Sequence, residues 1–336
     1  MMSDILREKL ICKICGNEQY NNIYVAKEMM FGLGDEFKYF ECSNCGCLQI
    51  KDIPENITKY YPKEYHSFKT LPAARENTID NFLSRYLRGA RSLYFMYKKN
   101  LLGKMLFAQK PIDEPFSGYL TWLKNCCADL NSKVLDVGCG TGSLLLHLSW
   151  FGFKDLSGID PYIPEDILYK NGIQIHKKGL DAVKTRFDVL MFHHSFEHMQ
   201  EPLAVFENIS KLLTDKGCAL IRIPTVSSYA WKNYGVNWVQ LDAPRHFFLH
   251  SLKSIGILAS KAGLKINEIV FDSTEFQFLG SEQYKQGVSL LSDQSYYVNP
   301  KASGFNAQRI DFFRSEAARL NKEKQGDQIC VYLAKQ

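Results

Sequence analysis

The spacing of hydrophobic positions changes along the chain and divides it into parts. Residues 1–65 carry short apolar runs broken by turns around Gly32 and Gly34, with no sustained helical period, which predicts a small β-rich module. Between 78 and 107, apolar positions such as Phe82, Tyr86, Leu93, Tyr97, Leu101 and Met105 follow helical spacing, and Gly89 and Gly103 are expected to divide the stretch. From 115 onward helical and strand patterns alternate. Helices are predicted at 116–130, 142–151 and 202–213, and strands at 133–137, 155–160, 173–177, 187–193 and 217–224. Ser251 is placed to cap a helix ending near Gly263, followed by a strand at 265–271, a helix at 305–323 and a last strand at 328–334, expected as an antiparallel edge. This rhythm predicts an α/β fold with a Rossmann-like, doubly wound, seven-stranded sheet whose last strand is antiparallel. The expected division is a module at 1–65, a helical connector at 66–114 and an α/β domain at 115–336, with insertions at 225–250 and 272–326 that cover the substrate.

Composition adds limits. Of 336 residues, 46% are hydrophobic and 23% charged, as in an ordinary globular protein. No uncharged apolar run approaches the roughly 18 residues a spanning helix needs, and the N-terminus has an early acid and no apolar core of a secretory signal. A cytoplasmic address is therefore expected. The net charge is +5, yet residues 66–110 alone carry +7, so the basic character is local. An amphipathic connector with lysines outward packs on a neighbour in the plainer reading; contact with an anionic membrane surface or a diphosphate-bearing substrate is the other.

Five of the ten cysteines lie in the first 47 residues. Cys12-Lys13-Ile14-Cys15-Gly16 and Cys42-Ser43-Asn44-Cys45-Gly46 form two C-x-x-C-G units separated by 26 residues. Each unit can aim two thiolates at one ion, and the glycine permits the tight turn. Cys12, Cys15, Cys42 and Cys45 together predict a tetrahedral, closed, structural Zn2+ site in a zinc-ribbon-like module. Cys47 is a fifth thiol, able to replace Cys45 only with poorer knuckle geometry.

The densest chemical signal runs from Val134 to Gly142, Val-Leu-Asp-Val-Gly-Cys-Gly-Thr-Gly, between a strand and a helix. Gly138, Gly140 and Gly142 remove Cβ atoms where a ligand must come close to backbone, and their G-x-G-x-G spacing differs from the dinucleotide pattern. Asp160 ends the next strand, 20 residues beyond Gly140, where an acid can accept from both ribose hydroxyls. Gly179-Leu180-Asp181 follows the third strand, and the fourth empties into His194-Ser195-Phe196-Glu197-His198.

In order and spacing these segments resemble class I S-adenosylmethionine-dependent methyltransferases over roughly 115–271. The resemblance implies that Gly138, Cys139 and Gly140 line the methionine part of S-adenosyl-L-methionine, with Cys139 a small filler and Asp136 orienting the turn or the amino group. It gives the ribose to Asp160, with Pro161 beside it, and the adenine to Leu180 and Asp181, while His194 and Ser195 border the cofactor. Together with the cysteine knuckles, the arrangement resembles bacterial methyltransferases of sugar and surface-polysaccharide pathways.

His194 to His198 also spells the metalloprotease pattern H-x-x-E-H, which needs a helix that this loop, ahead of Pro202, is not expected to form. Glu197 and His198 face the substrate or brace the loop. His246, in the segment from Trp238 to Ser251, is the candidate base for an acceptor hydroxyl, and Arg245 beside it suits a phosphorylated acceptor. The C-methylating branch of the resembled family reads Y-H-E-H here; this chain reads Pro244-Arg245-His246, which favours oxygen methylation of a small sugar-type acceptor. Carbon methylation, ribosomal or transfer RNA methylation through the basic segment, and a non-catalytic cofactor-binding scaffold are the alternatives; nucleic acid is not the expected partner.

Overall fold

A computed structural model describes residues 10–62, 82–114 and 116–336. The proposed boundary near 65 and the first part of the connector lie outside the described residues. The N-terminal strands β1 (Asn22–Lys27), β2 (Glu36–Glu41) and β3 (Leu48–Ile50) form an antiparallel meander. Helices α1 (Phe82–Tyr97) and α2 (Leu101–Gln109) follow, and the break falls at Lys98–Asn100, not at the glycines. Gly89 and Gly103 lie inside these helices because neighbours crowd them. A Cβ on Gly89 would come 2.9 Å from Leu130, and one on Gly103 2.2 Å from the Ala90 carbonyl.

The α/β part begins with α3 (Phe116–Asn125) and β4 (Lys133–Val137), then α4 (Ser143–Trp150), β5 (Asp155–Ile159), β6 (Ile167–Leu168), β7 (Gln174–His176) and β8 (Phe187–His193). Next come α5 (Pro202–Leu212), β9 (Leu213–Pro224), α6 (Tyr229–Tyr234), β10 (Phe248–Leu249), α7 (Leu252–Lys261) and β11 (Leu264–Phe271). Helices α8 (Phe276–Lys285) and α9 (Ala307–Lys322) precede β12 (Gln328–Lys335). The periodicity had missed α8, whose buried face carries Gln277, Ser281 and Gln283 among its apolar residues.

Among the described residues the main sheet has eight strands in the order β11-β12-β9-β8-β4-β5-β7-β6. Two expectations are corrected. The eighth strand is the two-residue β6, antiparallel to β7 and too short to leave a period-2 pattern. β12 is antiparallel as expected but is no edge: it lies between β9 and β11, and its Gln328–Leu333 run is buried on both faces. The strand order reverses at β4, which pairs in parallel with β5 on one side and β8 on the other. The crevice beyond their C-terminal ends is where doubly wound sheets bind ligands.

β10 is not part of that sheet. It pairs with β3, so a segment from the second half of the chain supplies the fourth strand of the N-terminal sheet. Apolar residues of that sheet, including Tyr39, Phe40 and Leu48, share one core with Phe196, Phe206 and Leu249. Among the described residues no helix is long and apolar enough to cross a membrane.

Candidate active site and metal centre

Both C-x-x-C-G units fold as knuckles. Gly16 N–H donates to the Cys12 carbonyl at 2.8 Å and Gly46 N–H to the Cys42 carbonyl at 2.7 Å. Both glycines have left-handed φ, +75° and +71°, which a side chain would strain. The four sulfur atoms lie within 4.8 Å of one another, with Cys12–Cys45 and Cys15–Cys42 each at 3.5 Å. Gln49 Nε2 donates to Cys12 Sγ at 2.9 Å. Sulfur contact this close lets one thiol ionise at its neighbour's expense: the Cys45 contact holds Cys12 down to about 4, while contact with Cys12 and burial push Cys45 up. Four thiolates cannot coexist there without a cation, and the donor set fits Zn2+. Cys47 points elsewhere, 3.8 Å from His250 Nδ1.

The glycine turn leaves β4 with Gly138 at φ +72°, Gly140 at +54° and Gly142 at +81°. A Cβ on Gly138 would come 2.5 Å from Ser195 Cβ, so this glycine lets the turn touch the loop after β8. Ser195 Oγ donates to the Val137 carbonyl at 2.7 Å and fixes that contact. Asp160 accepts from Gly140 N–H at 2.9 Å and Tyr162 N–H at 2.8 Å, so its carboxylate sits over the turn. Cys139 packs over Gly158, whose added Cβ would come 2.4 Å from its sulfur; burial pushes this thiol up, which suits a filler. Burial, with the nearby Asp160 charge, raises Asp136 to about 8. Two carboxyl groups at adjacent strand ends, one strained toward neutrality, suit a cationic ligand such as a sulfonium amino acid. Leu180 is buried in a short 3-10 turn with Asp181 exposed beside it, and Pro161 is exposed after Asp160.

Across the switch point lies a second cluster. Glu197 and His198 sit in the 3-10 turn Phe196–His198, so the long helix that H-x-x-E-H requires is absent here. Glu197 is completely buried; His194 Nδ1 lies 3.3 Å and His246 Nε2 3.9 Å from its Oε1. Burial raises this carboxyl, and positive charge on the surrounding imidazoles, His194 first, would lower it. Burial and the neighbouring His198 lower His246 to about 4 against the pull of Asp242 and Glu197. His246 Nδ1 contacts the Gln240 carbonyl at 2.8 Å and His198 Nδ1 the Arg245 carbonyl at 2.7 Å. Tyr61 OH approaches His198 Nδ1 at 3.1 Å, bringing the N-terminal part to the cluster.

Arg245 does not serve the role expected of it. Its side chain is fully buried, forked onto Asp242, 2.9 Å from the buried Glu28 and stacked on Phe31 at 5.3 Å. Glu28 also accepts backbone N–H groups of Met30, Phe31 and Leu33. The cation is thus consumed in tying the loop after β1 to the segment before β10 and cannot meet a phosphate. Sequence reasoning also missed Arg222, which donates to Asp272 at 2.7 Å, reaches His194 Nε2 at 2.9 Å and stacks on Trp122. A lone arginine in the otherwise apolar run 217–224 was the available signal. Because Arg222 can only donate, His194 Nε2 accepts from it, and His194 Nδ1 lies 3.3 Å from Glu197 without hydrogen-bond geometry.

With this geometry in place, residues 109–269 match the family of methyltransferase domains. The matched segment spans the glycine turn, Asp160, Glu197 and His246, and is similar to methyltransferase domains. Human EEF1A lysine methyltransferase 2 is 34% identical over 76 residues, 23% of this chain and 31% of that protein, so the chain matches about a third of that relative's length. Among solved structures, the cyclopropane synthase MmaA2 from Mycobacterium tuberculosis aligns over 76% of this chain and 100% of its own at 12% identity, TM-score 0.43. An O-methyltransferase of a Brevibacillus brevis multienzyme, bound to S-adenosyl-L-homocysteine, aligns over 73% and 79% at 15% identity, TM-score 0.39.

Proposed function

We propose that the protein methylates an oxygen of a small polar acceptor, a hydroxyl of a sugar that is nucleotide-linked or part of a glycan. Bound S-adenosyl-L-methionine supplies an electrophilic methyl group. In this reading Gly138, Cys139 and Gly140 shape the methionine end, Asp136 faces its cationic group, Asp160 with Pro161 takes the ribose, and Leu180 with Asp181 the adenine. His194 and Ser195 close the wall toward the acceptor. The observation that carries the reading is the contact of Ser195 with Gly138, which sets the Glu197–His198–His246 cluster next to the turn. There the acceptor hydroxyl gives up its proton to His246, the candidate base, as its oxygen forms the new O–C bond and the S–C bond breaks, releasing S-adenosyl-L-homocysteine. Cys12, Cys15, Cys42 and Cys45 hold a structural Zn2+ that folds the N-terminal module against this site.

The test incubates the full chain and methyl-labelled cofactor with a panel of nucleotide sugars and glycan extracts. Incorporation as a methyl ether is expected, and Glu197→Gln and His246→Ala are each expected to lower turnover by about 100-fold with cofactor affinity retained. A methyl on sugar carbon, on RNA or on a protein lysine in place of the ether would overturn the acceptor assignment. Unchanged turnover in both variants would remove the cluster from catalysis.

A further inference from the structure

We infer that Glu197, His198 and His246 hold a divalent first-row transition-metal ion beside the glycine turn, separate from the ion of the four cysteines. The inference rests on reading this cluster as the acceptor side of the site. One ligand atom from each residue lies within 4.8 Å of the other two. Glu197 has no exposed side-chain surface, and neither carboxylate oxygen has a hydrogen-bond partner among the described residues. The His194 approach at 3.3 Å falls outside hydrogen-bond geometry and reaches one oxygen only. A buried carboxylate in that state is costly unless a cation stands next to it.

The imidazoles point to the same cation. His246 Nδ1 donates to the Gln240 carbonyl, which leaves the Nε2 lone pair 3.9 Å from Glu197 and 3.8 Å from Asp242. His198 Nδ1 likewise donates to the Arg245 carbonyl. A backbone carbonyl on the far nitrogen of each histidine is the usual outer support of a metal-bound imidazole. A lone pair facing two carboxylates is repelled where it stands, and a cation among them turns repulsion into ligation. Asp242 is kept from competing by the buried Arg245 fork.

Two imidazoles and one carboxylate suit Zn2+, Co2+ or Fe2+ and leave at least one position open. An acceptor oxygen entering that position would ionise more easily, its proton passing to solvent, and would still be free to attack the methyl group. His246 then acts as ligand. Of the H-x-x-E-H string, the 3-10 turn recruits Glu197 and His198, and His246 from a distant segment takes the place that His194 would hold on a helix.

The test strips the full chain with a chelator, reloads it with Co2+ and counts ions by mass spectrometry and absorption. About two ions per chain are expected. One would show the intense thiolate-to-cobalt band of the four cysteines, and the other only weak ligand-field bands. Glu197→Gln and His246→Ala should each fall to about one ion per chain and keep the thiolate band, with near-ultraviolet circular dichroism confirming the fold. A wild-type chain that saturates at one ion, with no further uptake at millimolar Co2+, overturns the inference. Cofactor binding measured calorimetrically on the same samples separates the two readings. Intact binding with one ion refutes only the second metal; two ions without cofactor binding refutes only the methyl-transfer reading.

Discussion

The two walls of the crevice are built on different plans. The glycine-turn wall comes from one stretch, Asp136 to Asp160, in which a strand, a turn and the next strand bring glycines and carboxylates together through local geometry. The facing wall draws on Tyr61, Glu197, His198 and His246, with Glu28, Arg222, Asp242, Arg245 and Asp272 fixing the segments that carry them. The first wall needs correct backbone conformation above all. The second needs distant segments to arrive in register, and buried charge pairs hold them there.

That contrast is open to breaking. The largest effect is expected from Arg245→Ala, which leaves Glu28 and Asp242 buried without their cation. Chemical denaturation should show a loss of about 3–5 kcal/mol; a loss below about 1 kcal/mol would mean that packing, not the ion pairs, joins these segments. On the other wall, Gly138→Ala forces a Cβ toward Ser195 at a left-handed φ. Calorimetry should show cofactor affinity reduced roughly 10- to 100-fold by about 1–3 kcal/mol of strain, with a smaller change in global stability than Arg245→Ala causes. Equal loss of stability in both variants would erase the distinction.

The smallest effect concerns Asp136. Its folded value of about 8 lies above the ordinary 3.8, so its protonated form favours folding at low pH and that contribution fades as pH rises through about 8. Asp136→Asn should therefore raise the melting temperature of the cofactor-free protein more at pH 9 than at pH 6, while weakening cofactor binding. A pH-independent difference would show that the carboxyl is not strained by burial.

Legibility in the sequence followed the same divide. The glycine turn, Asp160 and the cysteine knuckles could be read because each is set by short spacing and a backbone constraint. The central strands were legible as apolar runs of five or more residues, because a strand buried on both faces takes apolar side chains at nearly every position. β6 has two residues and left no such trace, and α8 was hidden by polar residues that the fold buries. The place of β12 inside the sheet depends on pairing between segments far apart, which no local pattern records. Arg245 was misread for a related reason: a cation in a polar segment looks available until its partner, Glu28, arrives from the other end of the chain.

β10 gives the N-terminal sheet a peculiar timetable. Residues 10–62 leave the ribosome before β10, so β3 waits for Phe248 and Leu249 to complete its sheet, and the Cys45 carbonyl meets Ser251 only across a separation of 206 residues. Until then the edge of β3 is an unpaired strand on a nascent chain. Metal captured early by the four cysteines would keep that edge short and ordered while the rest of the protein is still being made.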